Sequence, residues 1–178
     1  MRVITGSARG RKLFTQEGKQ VRPTTDRVKE AIFSIIQFDI EGRTVLDLFA
    51  GSGQLGIEAL SRGAAFAVFV DSSKEAVEVV KKNLIHTDLA QNARVINKDY
   101  NTFLLDKGET FDIAFLDPPY SKGIPEKALP LVAGRMSEHG IILCEHPDEE
   151  AMPPEVGGFT KNKDYRYGNT VITVFRRA

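Results

Sequence analysis

Thr44-Val45-Leu46-Asp47-Leu48-Phe49-Ala50-Gly51-Ser52-Gly53-Gln54-Leu55-Gly56 runs from an apolar strand pattern through a glycine-rich turn into a helical pattern. Glycines there allow a tight turn and let the backbone approach a ligand at the N-terminus of the following helix. Gly51 to Gly56 fits G-x-G-x-x-G, and Asp71 lies 20 residues after Gly51, at the end of the next apolar run. An acid in that place can bind ribose hydroxyls. The spacing alone does not separate a nicotinamide dinucleotide from adenosylmethionine, and a glycine loop that only closes a β–α unit has the same outline. Asp47 favours the second ligand. A carboxylate just before the glycines can pair with the amino-acid ammonium of adenosylmethionine, whereas it would repel a pyrophosphate.

Outward from this stretch, strand and helix patterns alternate. Strands are expected at Thr44–Leu48, Ala67–Val70, Ala93–Asn97, Phe111–Leu116 and Ile141–Cys144, with helices at Gln54–Arg62, Ser73–Ile85 and Pro125–Met136. Short strands with little polar alternation indicate a parallel sheet buried on both faces. The body therefore reads as a doubly wound α/β fold. Gly158–Tyr165 and Asn169–Arg176 read as two strands joined at Arg166-Tyr167-Gly168, a hairpin that would end the sheet with an antiparallel strand.

The apolar run Phe111–Leu116 ends in Asp117-Pro118-Pro119-Tyr120. Open α/β sheets build their sites at the carboxyl ends of strands. Two prolines stiffen the turn and donate no backbone hydrogen bond. An ionised Asp117 only accepts. Its carboxylate and the Pro118 carbonyl make two acceptors, and an exocyclic amino group carries two N–H donors. Holding both would draw the nitrogen lone pair out of ring conjugation and aim it at a methyl donor. Tyr120 can stack on the base. Asp-Pro and Pro-Pro also occur in simple turns, but placement after an apolar strand makes this tetrapeptide the most specific signal in the chain.

Charge is uneven along the sequence. Lys plus Arg and Asp plus Glu are both 24, so the 178-residue chain is neutral and does not suit non-specific polyanion binding. Residues 1–30 nevertheless hold eight basic residues (Arg2, Arg9, Arg11, Lys12, Lys19, Arg22, Arg27 and Lys29) against Glu17, Asp26 and Glu30, a local net of +5. Such a patch is what a nucleic-acid partner would need, although a solvated face has the same composition. Gly6, Gly10 and Gly18 suit a short β-hairpin or extended arm. A helix should follow, capped by Thr24 or Thr25, with Val28, Ala31, Ile32, Ile35 and Ile36 on its buried stripe and Arg27 and Lys29 flanking it.

The remaining composition restricts the setting. A single cysteine, Cys144, excludes an internal disulfide and fits a reducing, cytoplasmic location. No apolar run approaches about 18 residues, so neither a transmembrane helix nor a membrane partner is expected. His86, His139, His146 and Cys144 lack metal-ligand spacing, so no metal is expected.

Asp47 to Gly53, Asp71, Asp99 and Asp117 to Tyr120 together resemble the amino-directed class I methyltransferases. The closer resemblance is to the RsmD-like bacterial 16S rRNA guanine-N2 methyltransferases. It extends over nearly the whole chain through Arg2-Val3-Ile4-Thr5-Gly6, Arg9-Gly10-Arg11-Lys12-Leu13, Arg22-Pro23-Thr24-Thr25-Asp26-Arg27-Val28-Lys29-Glu30 and Tyr167-Gly168-Asn169-Thr170. The resemblance implies a Rossmann-like sheet of seven strands, mostly parallel with the last antiparallel, carrying an N-terminal β-hairpin and helix. No clear linker breaks the chain, so one methyltransferase domain is expected, with residues 1–40 as a basic RNA-binding appendage and 41–178 as the S-adenosylmethionine-binding catalytic core, and a monomer. S-adenosylmethionine would be held by Asp47, Phe49, Ala50, Gly51, Gly53, Asp71, Ser72, Asp99, Tyr100 and Asp117. Asp117, Pro118, Pro119 and Tyr120 would hold a target guanine. Arg2, Arg9, Arg11, Lys12, Arg22, Thr24 and Arg27 would meet 16S rRNA in an assembled or assembling small ribosomal subunit. Two positions depart from the family pattern: Gln54 stands where a small residue is commoner, and Tyr100 where alanine is frequent. The rival readings are amino-methyl transfer to DNA adenine or protein glutamine, a nicotinamide oxidoreductase, and a non-catalytic RNA-binding assembly factor.

Overall fold

A computed structural model describes residues 1–18, 25–120 and 123–177. Its strands are β1 (Thr44–Leu48), β2 (Phe66–Asp71), β3 (Ala93–Asn97), β4 (Phe111–Leu116), β5 (Met136–Pro147), β6 (Glu155–Val156), β7 (Phe159–Tyr167) and β8 (Thr170–Arg177). The helices are α1 (Asp26–Ile35), α2 (Gln54–Ser61), α3 (Lys74–His86), α4 (Tyr100–Leu105) and α5 (Ile124–Ala133). All eight strands join one sheet in the order β3-β2-β1-β4-β5-β8-β7-β6. The first five pair in parallel, and β8 pairs antiparallel with both β5 and β7.

The alternation of side chains along each strand sorts the core into two layers. Val45, Phe69, Ile113, Phe115 and Leu143 pack with Ile32 and Phe33 of α1, Leu55 and Ile57 of α2, and Val80 and Leu84 of α3. Leu46, Leu48, Val68, Val70, Leu116 and Cys144 face the other way, against Phe103 of α4 and Leu129 and Val132 of α5. Both faces are thus covered, which is why these strands read as continuous apolar runs. Burial pushes the Cys144 thiol well above its usual range, so it is an inert core residue.

Four expectations need correction. The sheet has eight strands, not seven, because the two-residue β6 forms an outer edge too short to carry a sequence pattern. The final strand is antiparallel, as expected, but lies inside the sheet between β5 and β7 instead of closing it. The turn between these last strands also falls later: β7 runs through Tyr167, and Gly168 takes the left-handed conformation at φ +61°. β5 begins at Met136, where a helix end was expected; its polar first half, Ser137-Glu138-His139, hides the strand pattern.

The N-terminal arm is a minimal hairpin. Arg2 and Lys12 form one antiparallel bridge, and the Val3 and Leu13 N–H groups donate to the Arg11 and Met1 carbonyls. Thr25 caps α1, accepting from the Val28 N–H at 3.2 Å. Lys29, expected at the edge of the buried stripe, is fully enclosed. It donates to the Arg2 carbonyl at 2.6 Å and sits 3.7 Å from Glu58 of α2, also fully buried. Glu58 accepts from the Ile4 N–H (2.9 Å), the Thr5 N–H (3.0 Å) and Arg62 Nε (3.0 Å). Burial holds the Lys29 pKa below the ordinary lysine value, with Glu58 and Asp26 opposing the shift. The arm and α1 are therefore fastened to α2 through one carboxylate.

Removing that carboxylate leaves Lys29 as an unpaired buried cation and strips two arm N–H groups of their acceptor. Glu58→Ala is expected to lower the unfolding free energy by about 3–5 kcal/mol in a urea titration. A loss below about 1 kcal/mol, the range of a solvated pair, would show that apolar packing alone docks the arm.

Candidate active site

The chain reverses its direction of growth between β1 and β4. From β1 it adds β2 and β3 on one side, then crosses to place β4 and β5 on the other. Such a reversal opens a crevice at the carboxyl ends of the two central strands. Register makes the crevice level. Leu48 pairs with Leu116 on one side and with Val70 on the other, and Asp71 pairs with Asn97. The loops that follow β1, β4, β2 and β3 therefore leave the sheet at the same height and face one another across a cleft of about 540 Å³.

Most of the expected ligand residues meet there. Asp47, Phe49, Ala50, Gly51, Asp71, Ser72, Asp99, Tyr100, Asp117 and Pro119 all line the cleft. Gly53 sits beneath them as the left-handed cap of α2, at φ +81°. Pro118 is buried and Pro119 exposed. Tyr120, 53% exposed, faces a neighbouring groove of about 980 Å³ that is lined by Gly123, Met152 and the carboxyl-bearing Glu126, Glu149 and Glu150. The tetrapeptide thus stands on the ridge between the two cavities. Met1, Gln54, Lys98 and Ile124 also line the smaller cleft and were not expected.

The glycine loop is held in place by its neighbours. Asp71 accepts from the Gly51 N–H at 2.9 Å with one oxygen and from the Ser73 N–H at 2.8 Å with the other. Asp47 accepts from the Gly56 N–H at 2.9 Å. A side chain at Gly56 would put Cβ 2.3 Å from the Phe69 ring, so glycine there lets α2 lie close on β2. Phe49 is held at φ +64°, a conformation that is strained for a bulky residue and that clusters at ligand sites. Its ring meets Tyr100 with centroids 5.2 Å apart, forming an aromatic wall in the cleft that Asp99 also lines. Asp99 caps α4 by accepting from the Asn101 N–H at 2.9 Å. On the far side, Asn97 Nδ2 donates to the Asp71 and Ser72 carbonyls.

One buried side chain links the loop to the N-terminal arm. Asn83 of α3, fully enclosed, donates to the Ser52 carbonyl at 2.9 Å and to the Phe14 carbonyl at 3.0 Å, and accepts from the Phe14 N–H at 2.7 Å. Ser52 Oγ contacts Met1 Sδ at 3.2 Å. The base of the arm therefore forms part of the cleft wall. Arg2, Arg9, Arg11, Lys12 and Arg27 are all exposed on this arm and the start of α1. Arg2 lies 3.5 Å from Asp26, and Arg11 lies 3.2 Å from Asp88 while donating to the His86 carbonyl. Arg22 and Thr24 lie outside the described residues, and Lys29 leaves the surface patch altogether.

The cleft is electrostatically one-sided. Asp47 is 2% exposed, and burial pushes its carboxyl well above the ordinary range, against the pull of the Gly56 N–H; the charges of Asp117 and Asp71 raise it further. Four carboxyl groups (Asp47, Asp71, Asp99 and Asp117) around one small cavity fit a cationic ligand and disfavour a pyrophosphate. Gly51, at φ +58°, offers the same ligand an open backbone wall, since a Cβ there would meet no protein atom within 4 Å. The residues present thus suit adenosylmethionine, with its ammonium and sulfonium charges. Elsewhere, His146 is enclosed between Thr173 Oγ1 at 2.7 Å and the Pro147 carbonyl at 2.9 Å. Among the described residues, no group of three or more His, Cys, Asp or Glu is placed to hold a metal ion, and no helix is long and apolar enough to cross a membrane.

A family model described as Conserved hypothetical protein 95 matches residues 1–176. The "Putative rRNA methyltransferase YlbH" of Bacillus subtilis (strain 168) is 42% identical over 182 residues, covering 99% of each chain. "Ribosomal RNA small subunit methyltransferase D" of Escherichia coli (strain K12) is 36% identical over 179 residues, covering 99% of this chain and 90% of that one. The solved chain "Putative methyltransferase yhhF from Escherichia coli" superposes with a TM-score of 0.90 at 36% identity, covering 99% of this chain and 97% of that one.

The raised Asp47 pKa has a signed consequence. The ligand-free fold binds a proton that the unfolded chain has already released, so its stability should fall as pH rises above the ordinary carboxylate range. A cation bound beside Asp47 favours the carboxylate, so ligand binding should release protons and tighten over the same interval. Asp47→Asn should flatten the pH dependence of ligand-free stability in urea titrations. A variant that keeps the wild-type slope would assign that slope to other groups.

Proposed function

The chain belongs to the Conserved hypothetical protein 95 family of RsmD-like class I methyltransferases, and from that premise we propose that it methylates the exocyclic N2 of a guanine in 16S rRNA, using S-adenosylmethionine. One observation carries this reading: Asp117 and Pro119 share a cleft with the Gly51 loop and Asp47. Acceptors for an amino group thereby stand beside a site suited to a cationic methyl donor. The names of the full-length relatives support ribosomal RNA as the substrate, and the exposed basic arm beside the cleft supports it independently.

The roles follow from position. Asp71 offers its remaining lone pairs to ribose hydroxyls, and the Phe49–Tyr100 wall, with Asp99, encloses the adenine. Asp47 faces the ammonium. Bound adenosylmethionine supplies a methyl group already activated by its sulfonium, so the protein's main task is to align two reactants. Asp117 accepts from one N–H of the target amine, and the Pro118 carbonyl accepts from the other. This orients the lone pair toward the methyl group. As positive charge grows on the nitrogen, Asp117 stabilises it, and the proton leaves to Asp117 or to water. Tyr120, on the ridge between the cavities, stacks on a guanine that has left its own stack. Arg2, Arg9, Arg11, Lys12 and Arg27, with Arg22 and Thr24, contact the RNA backbone.

Asp117→Ala is expected to lower methyl transfer to small-subunit RNA by about 10²- to 10³-fold or more, with S-adenosylhomocysteine binding by calorimetry largely kept. Transfer near the wild-type rate would remove Asp117 from the chemistry. Neutralising Arg9, Arg11, Lys12 and Arg27 one at a time should flatten the log–log salt dependence of RNA binding by about 0.7–0.9 for each phosphate no longer neutralised. An unchanged slope would take that residue out of the interface.

A further inference from the structure

Gln54, the first residue of α2, lines the cleft at 8% exposure, and its Oε1 is buried without a hydrogen-bond partner. It is the only buried side-chain oxygen or nitrogen among the described residues in that condition. A buried acceptor without a donor destabilises the ligand-free fold, and native structures hold few of them. The charged neighbours do not remedy it. Asp71 and Asp117 line the same cleft, and as ions they only accept, while Lys98 there gives its ammonium to Asp106 at 2.8 Å. The orphaned acceptor lines the ligand cleft, where a bound ligand can bring the missing donor.

This inference rests on the reading that the cleft takes adenosylmethionine. That molecule carries N–H groups at two places, the adenine amine and the amino-acid ammonium. The Phe49–Tyr100 wall marks the adenine end, while Gln54 directly follows the Gly51–Gly53 turn and shares its stretch of chain with Asp47. We propose that Gln54 Oε1 accepts a hydrogen bond from the amino-acid ammonium of the bound cofactor. Gln54 is then a binding residue that recognises the amino-acid end of the ligand through its side chain. The same position explains why glutamine is compatible with a helix start packed against a cavity. Its carboxamide adds an acceptor for the cation without adding another carboxyl group to the aspartates that already line the cleft.

Gln54→Met keeps the length and volume of the side chain while removing its polar atoms. Calorimetric binding to three probes separates the possible roles. S-adenosylhomocysteine carries ammonium and carboxylate, its decarboxylated analogue 5′-(3-aminopropylthio)adenosine carries only the ammonium, and 5′-methylthioadenosine carries neither. The variant is expected to lose about tenfold or more in affinity for the first two, the effect of one hydrogen bond to a charged group, and to bind the third unchanged. Its ligand-free Tm should equal or exceed that of the wild type, because the orphaned acceptor is gone. Equal losses for all three probes with a lowered Tm would reduce Gln54 to a structural role. A loss confined to S-adenosylhomocysteine would assign the amide to the carboxylate instead, and no loss at all would remove it from the site. Failure of the wild-type protein to bind any of the three would overturn the cofactor assignment beneath the proposal, and the proposal with it.

Discussion

A carboxyl group buried at the end of the central strand is the constraint around which this molecule is arranged. Asp47 is enclosed because β1 lies in the middle of the sheet, and its side chain falls on the face covered by α1, α2 and α3. One backbone N–H, from Gly56, answers it directly. Asp71 and Asp117 arrive at the same height because register aligns the ends of β1, β2 and β4. The cleft therefore gathers more carboxyl groups than cations, with Lys98 the one basic side chain among its described lining residues. Glycines at 51, 53 and 56 let the backbone fold closely around this point and leave the centre of the cavity to the ligand.

The same geometry places the exposed basic arm beside the acidic cleft, as the proposed function requires. The arm that presents Arg9, Arg11 and Lys12 is fastened to α2 through Glu58 and to the glycine loop through Asn83. Both fastenings are fully buried, so the arm has a defined seat relative to the cleft. Positioning is most of what a pre-activated methyl group demands of a protein. Under the proposed function, a rigid seat for the basic arm would fix where a displaced base reaches the ridge formed by Asp117 to Tyr120. The acidic groove beyond Tyr120 gives that ridge an outer side from which phosphates are repelled.

Much of this was legible in the sequence, for identifiable reasons. β1, β2, β4 and the second half of β5 were visible because burial on both faces makes them short apolar runs, and β1, β3 and β4 fall on the residues expected, although β3 is a less buried edge strand. The turn chemistry of Asp47–Gly56 and Asp117–Tyr120 located the cleft on its own, because glycine and proline constrain the backbone locally. What escaped was set by distance or brevity. α4 has six residues and β6 two, too few for a period to show. Lys29 looked like a surface charge because its partner Glu58 is 29 positions away. Met1 and Asn83 reach the cleft wall only through tertiary contacts, and no local pattern marks them. Gln54 did stand out as a departure from the family pattern, but its meaning required the burial of Oε1.

The central claim is that this cleft delivers a methyl group to guanine N2 in small-subunit RNA. Its most direct test offers the purified protein methyl-labelled S-adenosylmethionine with unmodified small ribosomal subunits, naked 16S rRNA, duplex DNA and a protein extract in parallel, followed by nucleoside analysis of the labelled RNA. Label recovered from small subunits or 16S rRNA as N2-methylguanosine is the predicted result. Label confined to DNA or protein, or recovered from the RNA at another atom, would contradict the account.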